Sequence, residues 1–385
     1  MEQYNNKHTF LSEASSPHTL NLILNLIDKK IIDKSDLLLI LYEKHLSNIS
    51  IESACKRHGI NTLNWHEVKK LTISFRSLNP LSLLSWNAGI ILYCIENKYV
   101  NPDSVSILMQ DDEIDRWRKL YLETGVLEVS KAAYIDDNTL KVLGLVNNYV
   151  VPYSPWGRIL EEVLGRKVNI VDAVLPFSPL DYSSQSILEN YITSRKNFRP
   201  EETYKIMLFT KLRPQQDTIK LMRAIGSYVI KNKNAPNNKK VVLSLWLNSN
   251  RKVQLMYKGL VRLIKLYNYP IHIELIKKMN PGQYFLTLHD HDCLILQERG
   301  GMSTAKYFSE KIGKVVTIED SLNNQSFKEI YGIQSFSYKD IETALTSAIN
   351  SIGHADNHEI YHNSQLIYQR HSDSFKFLKE YWNKL

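Results

Sequence analysis

From residue 204 to residue 351, short apolar runs alternate with segments whose apolar residues recur at helical spacing, and this rhythm restricts the chain more than any other feature. Segments 204–210, 241–247, 271–276, 293–297 and 314–318 read as strands, and 215–231, 252–267, 281–289, 303–312, 339–351 and 363–384 as helices. Strands apolar on both faces, each followed by a helix, belong to a parallel sheet covered on both sides. Right-handed crossovers then give a doubly wound α/β domain.

The first half has a weaker version of the pattern. Segments 105–109, 149–151 and 168–171 read as strands, 37–41 as strand or helix, and 114–121 and 155–164 as helices. A second α/β domain is the economical reading. The apolar stretch 81–95 is broken by Ser82, Ser85 and Asn87. It is shorter than the roughly 18 residues of a membrane span, so a buried helix is expected. Polar and basic residues between 181 and 202 mark a linker. The expected domains are 1–195 and 196–362, with 363–385 as a terminal helix.

Composition narrows the function classes. With 385 residues, 43% hydrophobic and 23% charged, the chain is neither disordered nor fibrous and can bury two cores. Forty-eight Lys and Arg against 40 Asp and Glu leave a net charge of +8, which suits an anionic partner. The three cysteines, Cys55, Cys94 and Cys293, are scattered, so neither a disulfide framework nor a zinc cluster is expected. The polar N-terminal segment has no signal-peptide pattern. A cytoplasmic protein is expected, with peripheral contact at the inner membrane face as an option.

In an open parallel sheet, ligands bind beyond the carboxyl ends of the strands. Lys211 and Arg213, followed by Pro214, lie between the first strand of the second half and its helix. A cation pair beside free helix N–H groups suits a diphosphate. Glu298, Arg299, Gly300, Gly301, Met302, Ser303 and Thr304 form a second such turn. Its glycines let the backbone approach a phosphate, Ser303 or Thr304 can bond one, and Glu298 can bind sugar hydroxyls. Ser303 also reads as a plain N-cap. Neither GxxxxGK[ST] nor GxGxxG is present, so a P-loop and a dinucleotide fingerprint are not supported. Trp246, near a third strand end, reads as a core residue or as a stacking partner for a base.

In the first half, Asp111, Asp112 and Glu113 follow the strand 105–109 and can supply a general base or simply start a helix. Asp136 and Asp137 read more easily as a turn. Tyr153, Trp156 and Arg158 can line an acceptor cleft. His289 and His291 alternate as metal ligands would, but on the wrong side of their strand. Segment 51–67 has the shape of a helix-turn-helix, with Cys55 where alanine is usual and Gly59 at the turn, but no clear base-reading residues follow.

Two α/β halves, a central linker and phosphate-type turns confined to the second half resemble the GT-B class of glycosyltransferases. That resemblance implies two Rossmann-like doubly wound domains facing a central cleft. The C-terminal domain would bind a nucleotide-sugar, and the N-terminal domain would bind a glycan or glycolipid acceptor and supply the base. The last helix would return to the N-terminal domain. Within the class, segment 280–318 is similar to the bacterial 4-acetamido-4,6-dideoxygalactose (Fuc4NAc) transferases of surface-polysaccharide synthesis. The shared features are an Asp292-Cys293 strand, a Gly-rich turn with Thr304, and a Gly313-Lys314-Val315-Val316 strand. The family's polar glycine loop after the first strand is replaced here by 209–213. Segment 109–113 distantly resembles a sialyltransferase Asp-Asp-Gly motif, with Glu113 in place of glycine. The reading is metal-independent sugar transfer with the nucleotide-sugar as substrate and no cofactor. The alternative is a nucleic-acid-binding regulator acting through 51–67.

Overall fold

The computed structural model describes residues 4–43, 51–109, 111–152, 154–177, 203–211, 214–233, 240–333, 335–353 and 355–385. The chain divides into two compact units, Met1–Ser178 with Arg370–Leu385, and Pro179–Gln369.

The first unit contains β1 (His8–Glu13), α1 (Pro17–Asp28), β2 (Leu37–Tyr42), α2 (Glu52–Arg57), β3 (Thr62–Asn64) and α3 (Trp65–Val68). There follow β4 (Ser77–Pro80), α4 (Ser85–Glu96), β5 (Ser106–Leu108), α5 (Asp111–Thr124), α6 (Asp137–Leu145), β6 (Asn148–Val151), α7 (Ser154–Leu164) and β7 (Asn169–Asp172). The strand orders are β3-β2-β1-β4 and β5-β6-β7, every pairing is parallel, and bridges Leu78–Val105 and Leu81–Leu108 link β4 to β5. β2, with the sequence LLLILY, is buried at all six positions, as a strand covered on both faces must be. The core around it holds Phe10, Leu22, Ile23, Leu26, Leu37 and Leu39. Helix α4 buries Ile90, Ile91, Leu92 and Cys94, the buried helix expected near 81–95.

One expectation is corrected here. Where a recognition helix would have to begin, Thr62–Asn64 is a strand paired with β2 at Leu39–Leu41. Cys55 is fully buried in the core, and Gly59 takes a left-handed φ of 62° as the helix ends. The helix-turn-helix shape in the sequence comes from an α–β connection of the sheet.

The second unit contains β8 (Thr203–Leu208), α8 (Gln215–Lys231), β9 (Lys240–Trp246), α9 (Arg251–Leu266), β10 (Ile271–Ile276), α10 (Pro281–His289) and β11 (Cys293–Ile295). It continues through α11 (Met302–Lys311), β12 (Lys314–Ile318), α12 (Leu322–Tyr331), β13 (Phe336–Tyr338) and α13 (Ile341–Asn350). Its sheet runs β10-β9-β8-β11-β12-β13, all parallel. Elements α12 and β13 are additions to the sequence reading. The final helix, α14 (Asn357–Lys384), starts six residues before the expected 363. Its end is anchored in the first unit, where Leu378 and Trp382 are buried and the Trp382 Nε1–H donates to Asn79 Oδ1 at 2.9 Å.

Candidate functional site

In the second sheet the chain runs outward one way from β8 and the other way from β11, so the strand order reverses between these two neighbours. Such a switch point leaves a crevice at the carboxyl edge, because the two following connections diverge to opposite faces. The Phe209 N–H donates to Ile295 O at 2.9 Å, so the ladder continues to that edge. Beyond it, 209–211 leaves β8 and 297–301 leaves β11.

The two connections are tied together by buried amides. Gln297 is 2% exposed. Its Oε1 accepts from the Thr210 N–H at 3.0 Å, and its Nε2 donates to Thr210 Oγ1 at 2.8 Å and to Gly300 O. Asn323, fully buried near the start of α12, donates through Nδ2 to Gly300 O at 2.9 Å and to Gln297 O, and its N–H reaches Glu298 O at 3.1 Å. Gly300 and Gly301 have φ of 74° and 84°, the left-handed region that glycine reaches without cost. A Cβ on Gly301 would stand 2.2 Å from Thr210 Oγ1 and 2.5 Å from Gln297 Nε2, so only glycine fits the turn.

The consequence is an open helix N-terminus. Gly301 is the N-cap of α11 and no side chain caps it; the first helical bond runs from the Ala305 N–H to Gly301 O at 3.0 Å. The N–H groups of Met302, Ser303 and Thr304 therefore lack helical partners and face the dipole's positive end. This corrects the placing of Ser303 as N-cap: it is the second residue of the helix, within the first turn, and is exposed. Lys211 is exposed, with Nζ 4.0 Å from the point a Gly300 Cβ would occupy. Arg213 lies outside the described residues. Thr304, Arg299 and Met302 are half-buried, and the Glu298 side chain is exposed.

Aromatic side chains fix the β8 connection from the other flank. The Tyr284 hydroxyl donates to Thr210 O at 2.8 Å and lies 3.3 Å from Thr304 Oγ1; burial pushes this phenol up to about 12. The half-buried Trp246 donates its indole N–H to Phe209 O at 3.1 Å, with its ring centroid 5.9 Å from that of Tyr284. Phe209 has a φ of 70°, strain at a site edge that these bonds hold in place. Sequence reading passed over Thr210, Tyr284, Gln297 and Asn323. Only Gln297, polar at the end of an apolar strand, offered a local signal.

The other candidates scatter. Glu113 is 2% exposed within α5, and the side chains of Asp111 and Asp112 lie outside the described residues, although their backbone opens that helix. Trp156 is 3% exposed, a core residue of α7; Arg158 is exposed, and Tyr153 lies outside the described residues. Asp136 and Asp137 start a helix rather than form a turn: Asp136 is the N-cap of α6, its carboxylate accepting from the Thr139 N–H at 2.8 Å, and Asp137 is the first helical residue. His289 and His291 take separate partners: Tyr307 Oη at 2.8 Å for one, Ser244 Oγ at 2.7 Å and Thr287 O at 2.6 Å for the other.

No family model matches the chain, and no curated protein matches it. Solved structures do. HepE (Alr3699) of Anabaena, solved with UDP and glucose, aligns at a TM-score of 0.59 and 11% identity over 99% of this chain and 100% of its own. A UDP-forming α,α-trehalose-phosphate synthase from Burkholderia vietnamiensis aligns at 0.57 and 10% over 98% and 99%. The trehalose-6-phosphate synthase OtsA aligns at 0.56 and 10% over 98% of each chain. The chain has the GT-B fold. These neighbours are glycosyltransferases, so the fold class expected from the sequence holds, while the narrower Fuc4NAc-transferase resemblance finds no counterpart among them.

Proposed function

We propose that this protein is a glycosyltransferase that moves a sugar from a nucleotide-sugar, with UDP as the nucleotide, to a glycan or glycolipid acceptor. One observation carries the reading: an uncapped helix N-terminus behind a Gly300-Gly301 turn, with Lys211 beside it, at the switch point of a parallel sheet. That arrangement suits a pyrophosphate, whose charge grows as the sugar leaves. Lys211, Arg213 and the N–H groups of 302–304 meet this charge, so the transfer runs without a metal. Glu298 takes sugar or ribose hydroxyls, and the half-buried face of Trp246 flanks the nucleotide. HepE and the UDP-forming synthase share the fold and support the choice of UDP.

In the first unit, one of Asp111 and Asp112, which open α5 beyond β5, takes the proton of the acceptor hydroxyl. Glu113 is too buried to do so. Tyr153 and Arg158 contribute to acceptor binding. No described helix is long and apolar enough to cross a membrane. A glycolipid acceptor in bacterial surface-polysaccharide synthesis would bring the enzyme to the inner membrane face from the cytoplasm.

The test is calorimetry with UDP, GDP, CMP and dTDP. UDP is expected to bind, and Lys211→Ala to weaken it by roughly tenfold, as for the loss of one charge-assisted contact. Equal affinity in the variant removes Lys211 from the site, and absence of binding by all four nucleotides removes the reading.

A further inference from the structure

Helix α9, which joins β9 to the edge strand β10, carries charge that the nucleotide site does not use. Asn250 caps it, Oδ1 accepting from the Lys252 N–H at 2.9 Å, and Val253, Leu260 and Ile264 bury its inner side in the core. Its five cations, Arg251, Lys252, Lys258, Arg262 and Lys265, are all exposed, and Arg251–Leu266 contains no Asp or Glu. Among the described residues none of the five pairs with a carboxylate. Two leucines stand out among them, Leu255 at 67% exposure and Leu266 at 78%. With 3.6 residues per turn, these seven positions fall within about 140° of one another. Arg251, Leu255, Arg262 and Leu266 run down the middle of that stripe over roughly 22 Å.

The neighbouring helix widens the stripe. A Cβ on Gly226 of α8 would stand 3.7 Å from Leu263 Cδ2 and 3.9 Å from Leu260 Cδ1, so that side of α8 lies against α9. Arg223 and Ile230, a turn before and a turn after Gly226 on the same side, are exposed. The acids nearby point elsewhere. Asp217, the one acid of α8, is nine residues from Gly226 and so on the opposite side of the helix. Glu274 of β10 faces the other side of the sheet, because Ile271 and Ile273 join the core under α9 and strand side chains alternate.

A cationic stripe with leucines along its middle fits an anionic bilayer. Lys and Arg meet the headgroup phosphates, and the leucines enter the acyl boundary. A nucleic acid would match the cations alone and would press its phosphates on Leu255 and Leu266. We infer that α9 docks the second unit on an anionic phospholipid surface, the helix lying flat with Leu255 and Leu266 in the upper acyl layer. This goes beyond the glycosyltransferase reading: neither nucleotide nor acceptor enters it, and the attachment needs no glycolipid in the bilayer.

The experiment is sedimentation of the full chain with vesicles of phosphatidylcholine alone or with about one third phosphatidylglycerol, alongside UDP calorimetry. Binding is expected on the anionic vesicles and not on the neutral ones, and it should weaken as added salt screens the exposed cations. Lys258→Glu combined with Arg262→Glu should lower the vesicle affinity at least about tenfold. Leu255→Ser combined with Leu266→Ser should lower it at least about threefold while keeping the salt dependence. All four positions are exposed, so both variants should keep the thermal midpoint and the UDP affinity of the wild type. No binding to the anionic vesicles, or equal binding by the charge-reversed variant, overturns the surface. So does binding to a DNA or RNA duplex with the vesicles left free. A wild-type chain that binds anionic vesicles but no nucleotide keeps this surface and sinks the transferase reading, so the two fail separately.

Discussion

Gly301 packs against Thr210 so closely that a single added methyl group would stand 2.2 Å from the threonine Oγ1. That approach brings the turn after β11 against the turn after β8. It also dictates the first prediction. Gly301→Ala must either leave its φ of 84° or push Thr210 and Gln297 aside, and both change the orientation of the N–H groups at 302–304. The variant should lose about 2–4 kcal/mol of stability and more than about tenfold in UDP affinity. Gly300→Ala, with a φ of 74° and only the flexible Lys211 tip at 4.0 Å, should cost about 1 kcal/mol. Equal nucleotide affinities in the two variants would contradict this account of the turn.

Gln297 bridges the same two connections with both ends of its amide. In Gln297→Ala the Thr210 N–H loses its partner inside the protein, and a cavity opens. A loss of about 2–3 kcal/mol is expected in urea unfolding. Gln297→Glu keeps the acceptor for the Thr210 N–H but replaces the donor to Gly300 O with a buried charge, so it should be no better. A variant as stable as the wild type would show that water or a shifted loop replaces the bridge.

The parts of this site that were readable were the local ones. Strands β8, β9, β10 and β12 are apolar runs of five to seven residues, and each fell within about two residues of its reading. The Gly300-Gly301 pair and Lys211 mark strand ends by composition alone. Gln297 and Asn323 owe their roles to partners as far as 87 and 26 residues away, and spacing carries no trace of that. The same limit hid whole elements. In β1, His8, Thr9 and Ser12 interrupt the apolar run, yet all three are buried, because the polar groups find partners inside the unit. Helix α12 buries Asn323, Asn324 and Ser326, so its inward face does not read as apolar. The helix-turn-helix shape failed for the converse reason: a local helix-glycine pattern is common to several folds, and only the pairing of Thr62–Asn64 with β2 separates them.

Trp382 carries the end of α14 in the first unit. It is 1% exposed, its ring centroid lies 6.0 Å from that of Phe10, and its N–H satisfies the buried Asn79. Trp382→Ala removes the ring and orphans the amide oxygen, so a loss of about 3–5 kcal/mol is expected. Trp382→Phe keeps most of the packing and should cost about 1–2 kcal/mol, the share of the hydrogen bond. Thermal unfolding of both variants checks the ratio, and a tryptophan-to-alanine change below about 1 kcal/mol would mean the helix end contributes little.

His8 gives the fold an acid-sensitive term. The ring is 4% exposed and shares a 2.8 Å hydrogen bond with Ser77 Oγ. Burial, then the nearby Arg76 charge, lowers its pKa from 6.5 to about 4, with Asp36 acting weakly in the opposite sense. The native ring therefore stays neutral down to about pH 4, while the unfolded chain takes up a proton below about 6.5. More protons bind the unfolded state throughout that window, so stability falls as pH drops from about 6.5 to about 4. The ceiling on this term is about 3 kcal/mol. Titrating carboxylates act in the same range, so the measurement is the difference between wild type and His8→Asn in urea unfolding at several pH values. The wild type should lose up to about 3 kcal/mol more than the variant between neutral pH and pH 4, and parallel pH profiles would show that the ring is solvated or charged in the native state.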